Sequence, residues 1–262
     1  MAEALTSFST IRGRASRGAG TVTADVPADW LQGRSVFGGL QAVLALDAMR
    51  TLVPETLPLR TLQGTFMAPV AAGVVTATAR VLRTGKSTTV VEAKVGDAAL
   101  IIGVFGAPRA STAARTPVQG PVVEGPRGTL PWVPGITPAF TQHFDVAWLV
   151  GGPPYLGDRS TSHVVEIGLK DDGACSEAHL IAIADLIPPL GLNQLAAPAP
   201  SSTLTWMLEL LGADVSGLPL AGWRVDAEMV AARDGYTNQR VTVWGPGGVP
   251  VALSTQSMLV FG

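Results

Sequence analysis

The feature that most constrains the fold of this chain is an internal repeat. Residues 83–106 read RTGKSTTVVEAKVGDAALIIGVFG, and residues 233–262 read RDGYTNQRVTVWGPGGVPVALSTQSMLVFG. Both stretches open on a Thr-Gly or Asp-Gly turn, continue with alternating apolar and polar residues, and close on the letters VFG. Alternation with a period of two is typical of half-buried strands, and glycine turns between such runs indicate antiparallel hairpins. The repeat therefore predicts two copies of one supersecondary plan.

Each copy has the same order of predicted elements, with a strand or two, one helix, and then an antiparallel meander. The first helix is predicted at 36–53, and the second at 176–187, where Pro188 and Pro189 end it. The predicted strands are 20–27, 59–70, 73–85, 87–96, 98–106, 141–150, 162–170, 203–212, 222–233, 237–245 and 249–261.

Changes in composition along the chain predict four regions. Residues 1–19 are small and polar and are expected to form a flexible N-terminus. An N-terminal domain is predicted at 20–106 and a C-terminal domain at 141–262. Between them, residues 107–140 are rich in Pro, Thr, Gly and Ala and show little periodicity, which is typical of a linker.

Six short segments carry a resemblance to a known family. They are VFGG at 36–39, FMAP at 66–69, the turn Thr84-Gly85, AIADLIPP at 182–189, STLTW at 202–206 and STQSMLVF at 254–261. In their order and spacing, over nearly all of the chain from about residue 20, they resemble the double-hotdog acyl-CoA thioesterases (the acyl-CoA thioesterase II and thioesterase-like group). The resemblance implies an α+β fold, a tandem (double) hotdog in which two antiparallel sheets are each wrapped around a central helix.

Composition and charge argue against several classes of partner. The 262 residues carry a formal net charge of -2, so no basic surface for nucleic acid is expected. The single cysteine leaves no internal disulfide, and no apolar run reaches the length of a membrane-spanning helix. The sequence therefore predicts a cytoplasmic protein with no nucleic-acid partner and no membrane insertion.

Motifs for metal or covalent catalysis are missing from the sequence. The three histidines, His143, His163 and His179, do not pair with carboxylates at metal-ligand spacing, so no metal and no other cofactor is expected. The TGKST segment at 84–88 lacks the first glycine of a phosphate-binding loop, and no G-x-S-x-G nucleophile elbow is present. Hydrolysis by an activated water remains, which needs a carboxylate and donors for the oxyanion.

Asp185 is the best candidate for that carboxylate. On the predicted helix it shares a face with Ala178, Ile181 and Ala182, and an acid on an apolar stripe needs hydrogen-bond partners. The pattern alone is equally compatible with an exposed acid at the end of a helix. The resemblance favours the first interpretation, because Asp185 stands where the family carries its catalytic aspartate.

Thr203 and Gln256 would complete the family's water-holding set. Hydroxyl and amide groups both donate and accept hydrogen bonds, so with Asp185 they can orient one water. Taken singly, a strand-edge hydrogen bond for Thr203 and a solvent-facing Gln256 are the commoner situations. The resemblance implies the catalytic roles. The first copy lacks this set, since Leu100 aligns with Gln256 and Asp47 is interpreted as a solvated or paired helix residue.

Gly38 and Gly39 stand at the start of the first helix. A helix N-terminus presents unpaired N–H groups, and a glycine lets a carbonyl oxygen approach the backbone without a Cβ in the way. Tight packing of the helix on a sheet would also explain both glycines. The resemblance implies that Gly39, with Gly38 beside it, holds the thioester oxygen and faces Asp185 across the two domains.

Together these residues predict hydrolysis of acyl-CoA to a free acid and CoA, without a metal or a covalent intermediate. The resemblance also implies a homodimer or higher homo-oligomer. Two alternatives stay open. A non-catalytic acyl-thioester binder or scaffold would keep the same residues as a vestigial site. An enoyl-thioester hydratase would pair an Asp with a His, and Asp158 and His163 have a compatible offset but lack the expected Asn-Pro between them.

Overall fold

The computed structural model describes residues 5–121, 128–129, 131–155 and 159–261. The N-terminal half contains α1 (Phe8–Arg14), β1 (Ser16–Gly18), β2 (Thr21–Val26), β3 (Leu31–Gln32), β4 (Ser35–Val36), α2 (Gly38–Arg50), β5 (Leu59–Phe66), β6 (Gly73–Thr84), β7 (Thr88–Val95) and β8 (Ala99–Gly106). The C-terminal half contains β9 (Gly128–Thr129), β10 (Phe144–Val150), β11 (Ser162–Leu169), α3 (Glu177–Ala184), β12 (Ser201–Leu210), β13 (Trp223–Arg233), β14 (Tyr236–Gly245) and β15 (Val249–Val260). Each predicted strand and helix is present within a few residues of its expected bounds.

In the described ranges, one antiparallel sheet of 13 strands has the order β1-β2-β6-β7-β8-β5-β12-β15-β14-β13-β11-β10-β9. The order is symmetric about its middle. Moving outward from β5, the strands are β8, β7 and β6, and moving outward from β12, they are β15, β14 and β13. The two middle strands pair directly, with Gly64 opposite Trp206 and Leu62 opposite Leu208. The prediction of two separate sheets is therefore wrong on this point, because an antiparallel pair between the repeat copies joins their edges into one sheet.

Helix α2 packs against β2, β6, β7 and β8 of the N-terminal half, and also against α3. Every residue from Gly39 to Met49 is buried. At Gly103 on β8, an added Cβ would lie 2.6 Å from Met49 Sδ, so this glycine lets the helix approach the sheet closely. None of the helices in the described part of the chain is long and apolar enough to cross a bilayer.

An ion pair aligns the two longer helices. Arg50 lies in the last turn of α2 and Glu177 in the first turn of α3. Arg50 Nε donates to Glu177 Oε2 at 3.0 Å, and Arg50 Nη2 donates to Glu177 Oε1 at 2.8 Å. The end of α2 is held at the beginning of α3, and Gly38 and Gly39 at the start of α2 lie against Asp185 at the end of α3, so the two helices run antiparallel.

The described N-terminal residues are attached to the fold through α1. Phe8 and Ile11 are 0% and 2% exposed. Arg12 donates from Nε to Asp47 Oδ2 at 3.0 Å and from Nη2 to Oδ1 at 2.7 Å. Asp47 is therefore a buried and paired residue of α2. The small polar composition of residues 1–19, which predicts flexibility, gives no sign of these contacts.

Candidate active site

Asp185 lies at the C-terminal end of α3. The helix ends at Ala184, earlier than the predicted 187, and Asp185 caps it. Asp185 is partly exposed, although Ala184 and Leu186 on either side are buried. A helix C-terminus carries partial negative charge, so a carboxylate there is electrostatically unfavourable unless other groups compensate.

The compensating groups come from β15 and from the start of α2. Gln256 Nε2 donates to Asp185 Oδ1 at 2.7 Å. A Cβ added to Gly38 would lie 2.8 Å from Asp185 Oδ2, and one added to Gly39 would lie 3.2 Å from Asp185 Cβ. The carboxylate is thus set between the negative end of its own helix and the positive end of α2.

The pKa of Asp185 reflects this environment. Burial raises it to about 7, while hydrogen bonds from the Gly39 backbone and from the Gln256 amide lower it in part. The first hydrogen bond of α2 runs from the Gln41 N–H to the Phe37 carbonyl at 3.1 Å, so the N–H groups of Gly38 and Gly39 precede the helical ladder. A carboxyl group that titrates near neutral pH suits a proton acceptor.

Gln256 faces the interior and does not face solvent. It is 4% exposed and lies opposite Trp206 on β12 and opposite Gln239 on β14. Its Oε1 accepts a hydrogen bond from Gln239 Nε2 at 2.8 Å. Both ends of the Gln256 amide are therefore engaged, one by Asp185 and the other by Gln239.

Gln239 is a site residue that the sequence pattern could have identified and that the prediction missed. On β14, Thr237, Gln239 and Val241 are all buried, and the intervening Asn238 and Arg240 are exposed. The alternation of that strand places a glutamine on the inner face, directly beside the one carried by β15. A polar residue on an apolar stripe calls for a buried partner.

Thr203 lies on β12 opposite Met258 of β15. Because Met258 is two residues from Gln256, all three side chains occur on one face of the sheet. The register shifts between Thr203 and Thr205, which makes Leu204 the extra residue of a bulge. In the part of the chain that the structure describes, the Thr203 hydroxyl makes no hydrogen bond with the candidate carboxylate or with Gln256. The structure therefore brings the acid, the amide and the two glycines together and leaves Thr203 outside their direct contacts.

Phe66 closes one side of the site. Its ring lies 3.7 Å from the Cβ position of Gly38 and 3.4 Å from that of Gly64. Asp185, Gly38 and Phe66 are each partly exposed, and Gly38 lies against the other two. The site is therefore partly open beside an apolar ring, while the Asp185 carboxyl group itself is buried.

The Asp158–His163 pair of the hydratase alternative has little support among the described residues. Asp158 lies outside the described residues, and His163 Nδ1 accepts a hydrogen bond from Trp148 Nε1 at 3.3 Å within the sheet. Groups of three or more His, Cys, Asp or Glu side chains suited to a metal do not occur in the described ranges.

Two family models match the chain in tandem. The model described as the acyl-CoA thioesterase N-terminal domain matches residues 26–116, and the model described as the acyl-CoA thioesterase C-terminal domain matches residues 116–260. A comparison with curated proteins finds no significant match. The two models together account for nearly all of the sheet and for the candidate site.

Solved structures with a similar fold extend over almost the whole chain. A hot-dog-fold protein of unknown function from Alicyclobacillus acidocaldarius has 23% identity and a TM-score of 0.78, with 95% of this chain and 96% of that chain covered. The acyl-CoA thioesterase II TesB2 from Mycobacterium marinum has 15% identity and a TM-score of 0.67, with 94% and 95% covered. The dehydratase domain of RzxB from Pseudomonas fluorescens has 11% identity and a TM-score of 0.54, with 92% and 94% covered. These similarities establish a hotdog fold with a large antiparallel sheet and few helices.

Proposed function

Because this chain belongs to the acyl-CoA thioesterase family, we propose that it hydrolyses an acyl-CoA thioester to a free acid and CoA, with Asp185 as the general base. One observation carries the proposal. The Asp185 carboxylate accepts a hydrogen bond from the Gln256 amide at 2.7 Å and lies against the start of α2, and burial raises its pKa to about 7. A base with such a pKa is substantially ionised at neutral pH and still accepts a proton readily.

In the proposed reaction, the oxygen of a water attacks the thioester carbonyl carbon while Asp185 takes a proton from that water. The carbon–sulfur bond then breaks, and the CoA sulfur leaves with the proton that Asp185 received. Gln256 orients the water through the amide that contacts the carboxylate. Thr203 is proposed as the second orienting group, since its hydroxyl lies on the same face of the sheet.

The start of α2 is the proposed site for the charge that develops on the carbonyl oxygen. N–H groups at a helix N-terminus stabilise an anion, and preorganised donors of this kind contribute strongly to acyl transfer. The Gly39 N–H already favours the charged form of Asp185. Gly38, which is partly exposed, is therefore the donor best placed for the substrate oxygen, with Gly39 beside it.

The proposal also includes a cytoplasmic location and a homodimer or higher homo-oligomer. Both rest on what the family implies. Light scattering at working concentration tests the assembly directly, and a monomer there would contradict it.

A thiol-release screen against acyl-CoAs of graded chain length tests the function. Released CoA is read with a disulfide reagent, and the background is low because Cys175 is 3% exposed and burial raises the pKa of its thiol to about 12. Thiol release by the parent, and not by Asp185→Asn, supports the proposal. If no acyl-CoA yields thiol above the Asp185→Asn level, hydrolysis is the wrong activity.

The same screen separates the alternatives. Tight binding of acyl-CoA in a calorimeter without thiol release would favour a non-catalytic binder. Loss of the enoyl absorbance of an enoyl-CoA without thiol release would favour a hydratase, a reaction for which the described residues supply no Asp–His pair at the site.

The pH dependence of kcat/KM follows from the raised pKa of Asp185. Below about pH 7 the carboxyl is protonated and cannot accept a proton from water. We therefore expect kcat/KM to rise with pH through about 7 and then to level off, because this parameter reports the ionisation of the free enzyme.

The matched control for this profile is Asp214→Asn. Asp214 is an exposed acid whose pKa is lowered by hydrogen bonds from Ser216, so its loss should leave the profile unchanged. An inflection near pH 4 in the parent would mean that Asp185 does not act as a base in this environment.

A further inference from the structure

A buried row of amide side chains continues inward from Asp185. Gln239 and Gln256 are directly opposite each other on β14 and β15, and they are 2% and 4% exposed. We propose that Gln239 is a positioning residue, which fixes the orientation of the Gln256 amide and through it the hydrogen bond to Asp185. The inference deepens the proposed function and, as far as catalysis is concerned, rests on it.

The direction of every hydrogen bond in this row is set by one backbone group. The Leu190 N–H lies 3.1 Å from Gln239 Oε1 and can only donate, so the oxygen of Gln239 must face it. The Gln239 nitrogen then faces the opposite way and donates to Gln256 Oε1 at 2.8 Å. With its oxygen engaged there, Gln256 presents its nitrogen to Asp185 Oδ1 at 2.7 Å. An amide has a donor end and an acceptor end, so the order is transmitted along the row.

A flipped Gln256 amide would be harmful at this site. It would place an oxygen against Asp185 Oδ1, where two acceptors repel and the charged carboxylate is disfavoured. Gln239 is the group that prevents the flip, since it offers Gln256 only a donor.

The row of hydrogen bonds also closes a ring with the backbone, because its two ends, Asp185 and Leu190, lie in one segment of the chain. Leu190 begins the short 3₁₀ turn Leu190–Gln194, which follows Asp185 after Pro188 and Pro189. The segment that leaves α3 is thus attached at Asp185 to β15 and at Leu190 to β14. Movement of that segment relative to the two strands would break hydrogen bonds at both points.

Gln239→Met tests the proposal, with Gln239→Leu as a second variant in case the first folds poorly. Both side chains fill much of the same space and donate nothing to Gln256. We expect kcat for acyl-CoA hydrolysis to fall about 10-fold with KM within about twofold, the size of one lost hydrogen bond. Gln63→Met is the matched control, because Gln63 is an exposed glutamine on β5, two strands from β15 and on the opposite face of the sheet.

A double-mutant cycle distinguishes positioning from a general structural role. In a Gln256→Met background, Gln239→Met should cause no further loss of kcat, because the residue through which it acts is gone. Equal losses in the two backgrounds would overturn the proposal.

A readout that does not need turnover keeps this test separate from the proposed function. The ionisation of Asp185 is followed by NMR of ¹³C-labelled aspartate carboxyls, with Asp185→Asn to assign the signal. Gln239→Met should raise the pKa of Asp185, since the Gln256 amide that lowers it is no longer held in place. If the parent hydrolyses no acyl-CoA but this pKa shift occurs, the proposed function fails and the positioning role stands. An unchanged pKa in a folded variant refutes the positioning role.

Discussion

Asp185→Asn is expected to lower kcat/KM for acyl-CoA hydrolysis by about 10³-fold, within the range that general-base catalysis contributes. Asparagine preserves the shape of the side chain, and its Oδ1 still accepts the hydrogen bond that Gln256 donates to Asp185 at 2.7 Å. It has no basic oxygen to take the proton of the attacking water. Thiol release measured across a range of acyl-CoA concentrations gives the change.

The stability of the same variant, relative to the parent, should improve as pH rises. The pKa of Asp185 is raised in the folded state from 3.8 to about 7, so between these values the folded state binds more protons than the unfolded state. The free energy of unfolding of the parent therefore loses the contribution of this group as pH rises from about 4 to about 7. The asparagine of the variant does not titrate, so the difference in free energy of unfolding should shift in favour of Asp185→Asn over that window.

Urea denaturation at several pH values measures this difference, and Asp214→Asn is the control. Activity retained in Asp185→Asn would remove the central claim. A variant that loses stability as well as activity at every pH would show that the acid is needed for folding, which contradicts the expected pH-dependent gain in stability.

Local patterns predicted the elements of this fold well, while pairings between distant strands were beyond them. Alternation and turn residues are read over a few positions, which is why the strand predicted at 73–85 is observed at Gly73–Thr84. The pairing of Gly64 with Trp206, which turns two sheets into one, depends on how the two copies meet. Neither residue carries a mark of that contact in its own neighbourhood.

In the candidate site, too, local patterns predicted individual residues but not their contacts with distant strands. The sequence placed Asp185 near the end of a helix but left open whether it is exposed or buried in an apolar stripe. Its partner Gln256 is 71 positions away, and only the folded sheet brings the two within 2.7 Å. The bulge at Leu204, which sets the direction of Thr203, has no signature in the sequence, and the roles of Thr203 and Gln256 came from the family resemblance. Gln239 lay within reach of the alternation pattern, but its meaning depends on the strand beside it.

Gly38→Ala is expected to lower kcat about 100-fold while changing the free energy of unfolding by no more than about 1 kcal/mol. The new Cβ would lie 2.8 Å from Asp185 Oδ2, so the carboxylate has to rotate or move away. Because Gln256 holds the other oxygen, that movement strains or breaks the 2.7 Å hydrogen bond and displaces the base from the water it should activate. Steady-state kinetics and urea denaturation of the one variant measure both quantities.

Two other glycines make the comparison decisive. In Gly39→Ala the Cβ would lie 2.6 Å from a ring carbon of Phe37, which is 0% exposed and stacked on Phe140 at 4.1 Å, so stability as well as activity should fall. In Gly13→Ala no heavy atom lies within 4 Å of the new Cβ, so kcat should not change, and because Gly13 lies in α1 the free energy of unfolding should rise by up to about 1 kcal/mol. Of the three variants, only Gly38→Ala should lower kcat without lowering the free energy of unfolding, since its Cβ meets the candidate base and not the core. Parental kcat in Gly38→Ala would mean that the space between Asp185 and the start of α2 is not where the reaction occurs.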